Sequence, residues 1–208
     1  MRRILLVVLF ALNVFALRAQ RFEGGVLGGF NASQVSGDNT NGYRKPGLLL
    51  GGYVMRDFSR DLFFGMEIKY SQKGSRKNPS NKTTNVQQKD LEKYIMRLGY
   101  AEVPFFLGYR TSDRISILAG LSAGYLVHSK ELDNYGEIPE VEQREFNAFD
   151  FQAFVGMRYD FIDRLTLDLR LGYSVLPIRD LPGQAVSYWL DDQYSNVIST
   201  GLYYRLGR

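Results

Sequence analysis

The sequence contains no cysteine and only one histidine, His128, among its 208 residues. The lack of cysteine excludes disulfides and thiolate metal sites, and a lone histidine offers no obvious metal cluster. We therefore expect no metal and no other cofactor. Beyond its first residues, the chain also lacks any apolar run near the roughly 20 residues that a membrane-spanning helix requires. These absences exclude a helical membrane protein.

The chain opens with a basic start and an apolar run over residues 4–17, which ends at the small residues Ala16 and Ala19. This is the layout of a secretory signal peptide, and the run is too short to span a bilayer as a helix. We predict cleavage after Ala19, which removes residues 1–19 and leaves residues 20–208 as a single domain. Cleavage after Ala16 and a retained, buried N-terminal helix are the alternatives.

The charge of the chain gives no reason to propose a nucleic-acid partner. The whole chain has 26 basic and 22 acidic residues, but Arg2, Arg3 and Arg18 lie in the predicted signal peptide. Without these three, the bases outnumber the acids by one. The sequence pI of about 9.2 therefore belongs largely to the export segment. A nearly neutral mature chain lacks the positive surface that nucleic acids require.

The segment over residues 165–174 alternates apolar and polar side chains without interruption. Successive side chains of a β-strand point to opposite faces, so this strand has one apolar face and one polar face. The apolar face carries Leu165, Leu167, Leu169, Leu171 and Tyr173, and the other carries Thr166, Asp168, Arg170, Gly172 and Ser174. The same pattern recurs after residue 60 and, behind an export signal, predicts a transmembrane β-barrel.

Eight segments of this kind are separated alternately by short turns and by long polar loops. The predicted strands are residues 23–35, 47–56, 62–72, 93–109, 115–129, 146–159, 164–175 and 196–206. The short turns are residues 57–61, 110–114 and 160–163, and the long loops are residues 36–46, 73–92, 130–145 and 176–195. Outer-membrane barrels have short turns on the periplasmic side and long loops outside. We therefore predict an all-β fold, an eight-stranded antiparallel up-and-down transmembrane β-barrel with four long loops at one end.

Alternation alone does not decide which face lies inside, because a lipocalin-like soluble barrel alternates as well. The polar face mixes glycine with long charged residues, as in Gly65, Glu67 and Lys69, which suits a narrow lumen where long side chains need small neighbours. Aromatic residues recur near strand ends on the apolar face, as in the girdles of membrane barrels, although strands favour aromatics anyway. One predicted girdle, at the loop end, contains Tyr70, Tyr94, Tyr125, Phe149 and Tyr173, and the other contains Tyr109, Tyr159 and Tyr204.

The fourth predicted strand breaks the alternation. An apolar face of Tyr94, Met96, Leu98 and Tyr100 is followed by Val103, Phe105, Leu107 and Tyr109, which are one residue out of phase. We take both runs as outward, and a β-bulge near Ala101 and Glu102 would restore the alternation. This interpretation places Arg97 on the lumen side.

On this orientation the lumen contains a nearly balanced set of charges. The acids are Glu67, Glu102, Asp150 and Asp168, and the bases are Lys69, Arg97, Arg158, Arg170 and Arg205. Balanced charges can pair and so avoid isolated buried charge. Eight strands enclose a lumen that side chains just fill, so we expect no wide pore, with a narrow charged path as the alternative.

No group of residues forms a catalytic signature, and we expect that the protein is not an enzyme. His128 invites comparison with outer-membrane lipid hydrolases, but the adjacent Ser129 lies on the opposite face of the strand. A polar histidine at the barrel rim is the simpler interpretation. Asp191 and Asp192 stand in a loop rich in turn residues, where solvated charge is again the simpler interpretation.

The long loops carry the features that suggest binding. Loop 73–92 is rich in lysine and arginine, and the neighbouring loop 130–145 is rich in glutamate and aspartate. The two loops either order each other through weak exposed ion pairs or bind lipopolysaccharide and divalent cations. Loop 176–195, with Tyr188 and Trp189, is too apolar for a freely solvated loop. We expect it to fold over the barrel mouth or to meet a partner.

Glycine and aromatic motifs run through most of the mature chain. Within the stretch Gly25 to Gly74 they are Gly37-Asp38, Gly47, Gly51-Gly52, Glu67 and Tyr70 to Gly74, and further on they are Glu102-Val103-Pro104 and Gly120 to Tyr125. These motifs resemble the PorT-like outer-membrane β-barrel family of Bacteroidota, in which an Ala-Gln signal junction such as Ala19-Gln20 is also common. The terminus, Tyr203 to Arg208, departs from the terminal aromatic residue of proteobacterial barrels.

The resemblance implies an outer-membrane barrel whose namesake relative takes part in protein secretion and maturation, but a shared fold does not settle function. Our first hypothesis is a non-enzymatic barrel whose surface loops bind or organise partners. The second is an accessory component of a secretion machine, or a narrow channel, and the third is a barrel enzyme acting on lipid or peptide. The expected partners are outer-membrane lipid and lipopolysaccharide, the outer-membrane assembly machinery and secretion-system proteins.

Overall fold

A computed structural model of the protein describes residues 22–38, 42–78, 93–139, 144–180 and 192–206. These ranges contain eight strands, and every neighbouring pair is antiparallel. The strands are β1 Phe22–Ser36, β2 Lys45–Asp57, β3 Leu62–Lys77, β4 Tyr94–Arg110, β5 Ile115–Leu132, β6 Phe149–Ile162, β7 Leu165–Ser174 and β8 Tyr194–Arg205. Pairing of β1 with β8 closes the sheet into a barrel. Within these ranges no helix is long and apolar enough to cross a bilayer.

The predicted fold is confirmed, an all-β, eight-stranded, up-and-down barrel with short turns at one end and long connections at the other. The main difference lies in two strands. β3 continues to Lys77, and β5 continues to Leu132, so each takes residues that the sequence assigned to a long loop. Because β4 lies between them, these three strands project together beyond the rest of the barrel.

The outer wall of the barrel is apolar over the middle of each strand. In β5, for example, Ile117, Leu121 and Tyr125 are exposed, whereas Ser116 and Ser122 on the other face are buried. The alternation of the sequence therefore separates an outward apolar face from an inward polar face. In water such a wall would be a large exposed apolar patch, but in a membrane it meets lipid chains.

Aromatic residues mark the two edges of this apolar band. Tyr70, Ala101, Tyr125 and Phe149 are direct cross-strand partners in succession, so these aromatics form one row across β3 to β6 toward the loop end. At the other end, Tyr109 and Tyr204 are exposed on the outer wall, and Tyr159 is half-buried. Ala101 and Tyr109 are eight residues apart in β4, a distance of about 27 Å along the strand. For a strand tilted by about 40° this gives a height of about 20 Å, close to the apolar band of membrane barrels.

The predicted bulge at Ala101 and Glu102 is wrong. The pairing of β3 with β4 keeps one register from Leu62–Tyr109 to Lys77–Tyr94. The register shift lies on the other side of β4, where Gly99 pairs with His128 and Tyr100 pairs with Leu126. β4 therefore stays in phase, and Met96, Leu98 and Tyr100 are buried on the same inward face as Glu102. The apolar residues change face because this end of β4 extends beyond the lipid. There an outward face no longer has to be apolar.

Two glycines in the lumen make room for phenylalanine rings. A Cβ at Gly65 would lie 2.1 Å from the ring of Phe106, and a Cβ at Gly108 would lie 2.1 Å from the ring of Phe63. The two rings are in edge contact, with centroids 6.3 Å apart. Large side chains therefore fill this narrow lumen because their neighbours across the strands have none.

Candidate functional site

The centre of the lumen contains two arginines that share two carboxylates. Arg170 from β7 contacts Glu67 at 2.5 Å and Asp168 at 2.7 Å. Arg158 from β6 contacts Asp168 at 2.6 Å and Glu67 at 3.3 Å. The hydroxyl of Tyr203 donates to Glu67 at 2.9 Å and accepts from Arg170 at 2.9 Å. All five side chains are buried, and they tie β3, β6, β7 and β8 together across the barrel.

Two lysines continue this network toward the loop end. Lys69 lies 3.8 Å from Glu67 and 3.5 Å from Glu102, and so links the two carboxylates. Lys73 forms ion pairs with Glu102 and, at 3.0 Å, with Asp150. Asp150 also accepts a hydrogen bond from the hydroxyl of Ser174. The charged groups therefore form one continuous chain through the lumen.

This chain balances its own charge. Among the described residues it contains four carboxylates and four bases, Glu67, Glu102, Asp150, Asp168, Lys69, Lys73, Arg158 and Arg170. A charge buried without a partner is strongly unfavourable, and each of these groups has at least one partner. A void of about 20 Å³ remains beside Ser122 and Gln152, room for about one water molecule. The middle of the barrel is therefore filled rather than open.

An aromatic layer lies between the arginines and the short-turn end. The rings of Phe63, Phe106 and Phe154 pack with Leu118. Arg158 lies 4.6 Å from the centre of the Phe106 ring, a cation–π contact that gives the buried guanidinium a further favourable neighbour. Below this layer a vestibule of about 1060 Å³ opens at the short turns, with both acids and arginines on its wall. The vestibule ends where the aromatic and charged layers begin.

A third layer closes the loop end. Val35, Met96, Leu98, Tyr100 and Ile178 form a buried apolar cluster inside the projecting part of the barrel, which we call the apolar plug. Ile178 belongs to the connection between β7 and β8, and it is 0 % exposed. Its backbone pairs with that of Asn147 at 2.8 Å and that of Gln193 at 2.8 Å, which holds this connection over the mouth. The described part of loop 176–195 thus folds into the barrel.

A buried ion pair sits beside the apolar plug. Arg179 contacts Glu131 at 2.8 Å and lies 3.7 Å from the ring centre of Phe146. Tyr94 donates its hydroxyl hydrogen to Glu131. Burial, followed by the hydrogen bond to Glu131, raises the pKa of Tyr94 above its usual range, so the hydroxyl stays protonated and can donate. Tyr94 therefore faces inward, and its predicted place in the outer aromatic girdle is wrong.

Two other residues predicted for the lumen lie outside the charge network. Arg97 is exposed on the outer wall, because β4 keeps its phase, so its predicted place in the lumen is wrong. Arg205 lies at the short-turn rim, where it is partly exposed and pairs with Glu23 at 3.1 Å. Lys73 was assigned to a loop by the sequence but is buried in the charge network. Residues 71–77 contain no apolar side chain, so the alternation gave no signal that β3 extends this far.

The remaining predicted residues fall on the outer wall or outside the described ranges. His128 is exposed, and its ring stacks on Tyr70 with centroids 6.2 Å apart. The girdle residue Tyr173 stacks on Tyr194, which was not predicted as a girdle residue. The signal segment 1–19 and the loop residues Tyr188, Trp189 and Asp191 lie outside the described residues. In the described ranges, no three His, Asp or Glu side chains are grouped to hold a metal ion.

Known barrels share this architecture. The Yersinia pestis attachment invasion locus protein Ail matches with a TM-score of 0.51 and 16% identity, over 88% of this chain and 98% of Ail. Ail bound to the heparin analogue sucrose octasulfate matches with a TM-score of 0.50 and 15% identity, over 89% and 99% of the two chains. Neisserial surface protein A matches with a TM-score of 0.50 and 10% identity, over 88% and 96%. At these identities the likeness shows the fold alone.

Sequence comparison gives the family. No curated protein matches the chain. Residues 16–179 match the family described as outer membrane protein beta-barrel domain, which is most of the chain. The exposed apolar band, its aromatic edges and the filled, charged lumen agree with that description. The protein is therefore a member of the outer membrane protein beta-barrel domain family.

Proposed function

We propose that this protein is a non-enzymatic outer-membrane barrel that acts through its extracellular end, where it binds or organises partners at the cell surface. The observation that carries the proposal is the closure of the lumen at three levels. The aromatic layer, the balanced charge network and the apolar plug follow one another along the barrel. A barrel closed in this way serves as a rigid support for its long connections.

The loop end offers exposed groups for such contacts. Tyr135, in the connection between β5 and β6, is 98% exposed, and exposed aromatic side chains are favoured at binding surfaces. Two solved barrels of this architecture carry names that indicate surface roles, an attachment invasion locus protein and a neisserial surface protein. These names support a surface role here without identifying the partner.

A planar-bilayer recording tests the closed lumen. We expect no steady unitary current from the folded wild-type protein. A general porin with an open lumen, recorded in the same bilayer, serves as a check that conductance is detectable. Steady currents from the wild-type protein at a reproducible conductance would favour the narrow-channel alternative and contradict a filled lumen.

The second candidate is an accessory component of a secretion machine, as in the PorT-like family. The observation that favours it is the vestibule at the short-turn end, which is open to the periplasm in this orientation and is lined by Arg110, Asp113 and Arg114. A photo-crosslinking amino acid at Tyr135 and another at Arg114 compare the two ends in the native cell. Crosslinked partners at Tyr135 alone support a surface role, and partners at Arg114 alone support the accessory role.

An enzymatic role has little support in the site. His128 and Ser129 lie on opposite faces of β5, so the histidine cannot activate the serine directly. The polar partner of His128 is the hydroxyl of Tyr70, at 3.5 Å. We expect His128→Ala to leave the lipid composition of the outer membrane unchanged, and an altered lipid profile would revive the third hypothesis.

A further inference from the structure

A basic pocket lies at the loop end of β2, β3, β4 and β5, mostly on their outer faces. It has a volume of about 390 Å³, and its walls include Lys45, Gln72, Arg76, Arg97, His128 and Lys130. We call it the basic wall pocket. Four of these residues carry a full positive charge, and no carboxylate belongs to the part of its lining that the structure describes. This surface differs from the lumen, where each base is matched by an acid.

The bases of this pocket are held close together. Arg97 and Lys130 are direct cross-strand partners between β4 and β5, a placement that is unfavourable for two like charges. Lys130 forms an ion pair with Glu137 at 3.0 Å, which offsets one of the charges. Burial, followed by the charges of Arg97 and Arg76, lowers the pKa of Lys45. The pocket is thus a region of positive potential that an anion would stabilise.

The position of the pocket relative to the membrane identifies the anion. Gln72 follows Tyr70 on the outer face of β3, and its amide donates to the Tyr70 hydroxyl at 3.3 Å. His128 stacks on the same tyrosine. Since Tyr70 and Tyr125 mark the edge of the apolar band, the pocket lies at the level of the lipid headgroups. Directly below it, the outward side chains Ile68 and Leu121 offer an apolar wall to acyl chains.

We propose that the basic wall pocket binds the phosphate groups of lipopolysaccharide in the outer leaflet. The arginines and lysines hold the phosphates of its lipid A part, and the acyl chains lie along the apolar wall of β3, β4 and β5. Arginine is well suited to this role, because its planar guanidinium binds phosphate through two parallel hydrogen bonds. Basic pockets at the membrane surface bind anionic lipid headgroups in the same way.

Purified protein in detergent micelles allows a direct test. Doubly phosphorylated lipid A, dephosphorylated lipid A and inorganic phosphate are added separately, and binding is followed by the heat-unfolding midpoint and by lipid that comigrates with the unheated protein. The variant Arg76→Ser/Arg97→Ser removes two charges of the pocket. The variant Arg60→Ser/Arg144→Ser removes two exposed arginines elsewhere and is the matched control.

We expect phosphorylated lipid A to raise the unfolding midpoint of the wild-type and control proteins, and to bind the pocket variant at least tenfold more weakly. The proposal would be overturned if the pocket variant bound phosphorylated lipid A as tightly as the wild-type protein does. It would also be overturned if the wild-type protein bound dephosphorylated lipid A equally well, because the apolar wall alone would then explain binding. An equal effect of inorganic phosphate would indicate a free-phosphate site instead. If the pocket variant does not fold, judged by its unheated gel mobility, the single change Arg97→Gln takes its place.

This test is independent of the surface partner in the proposed function, since it uses pure protein and pure lipid. Binding of lipid A without a crosslinked partner at Tyr135 would support the lipid site and contradict the proposed function. A crosslinked partner without binding of lipid A would support the surface role and contradict the lipid site.

Discussion

The barrel has opposite polarity in its two halves. Between the aromatic girdles its wall is apolar outside and charged inside, as Leu121 and Glu67 illustrate. Beyond the upper girdle, β3, β4 and β5 carry charged groups outside, such as Arg97, and apolar groups inside, such as Leu98. The same strands therefore place apolar side chains outside in one half and inside in the other. Lipid chains surround the first half, and headgroups and water surround the second. Strand alternation fixes two faces, and the surroundings decide which one is apolar.

The two interiors are also held together differently. The charge network below depends on ion pairs that are strong only while every group has its partner, whereas the apolar plug above depends on packing. Loss of one charge below leaves another buried and unpaired, and loss of one side chain above leaves a cavity. Substitutions in each half test this difference.

The largest effect is expected from Glu67→Leu in the charge network. This change leaves Arg158 and Arg170 with one shared carboxylate, Asp168, in place of two. Removing one member of a buried ion pair costs about 3–5 kcal/mol. Urea unfolding of the protein in lipid vesicles, followed by circular dichroism, measures the loss. Glu137→Leu breaks an exposed pair and is the control, with an expected cost of about 0–1 kcal/mol. Equal stability of the two variants would show that the network does not stabilise the barrel.

The next effect is expected in the apolar plug. Leu98→Ala leaves a cavity in a buried cluster and should destabilise the upper barrel by about 2–5 kcal/mol. Leu107→Ala, on the same strand but exposed on the lipid side, should cost less because lipid chains fill the space. Hydrogen exchange of residues 94–100 measures the local loss, and slower exchange in Leu98→Ala than in Leu107→Ala would contradict the packing argument.

A pair of arginine substitutions on β5 locates the boundary between the two halves. Leu121 is 64% exposed and Val127 is 57% exposed, so both point outward. Leu121→Arg places a charge against lipid and should cost about 2–4 kcal/mol, whereas Val127→Arg, above Tyr125, should cost about 0–1 kcal/mol. The unfolding midpoint in vesicles distinguishes them. A loss at Val127 as large as that at Leu121 would place the membrane edge higher on the strand.

The smallest effect is expected from Lys130→Gln on the outer wall. The change removes an exposed pair with Glu137 but also a like charge opposite Arg97, so the two consequences nearly cancel. We expect a change in unfolding free energy within about 1 kcal/mol. Thermal unfolding at low and at high salt checks this result. A larger loss that persists in high salt would mean that Lys130 also has a packing role.

The fold was predictable because its signals are local. The predicted strand 164–175 shows its two faces in its own residues, and its observed bounds, Leu165–Ser174, differ by one residue at each end. The residues of the charge network were largely predictable for the same reason. Lys73 was missed because the boundary between β3 and its loop depends on pairing with β4, which a single strand does not reveal.

Alternation within single strands was enough to predict the barrel, its eight strands, and the placement of Asp168 and Arg170 on the face opposite Leu169. The positions of Arg97 outside, Leu98 inside and Ile178 over the mouth follow only from the assembled barrel. The cause is that the apolar face of a strand is set by its height in the membrane. That height follows from the registers of neighbouring strands, which the residues of one strand do not contain.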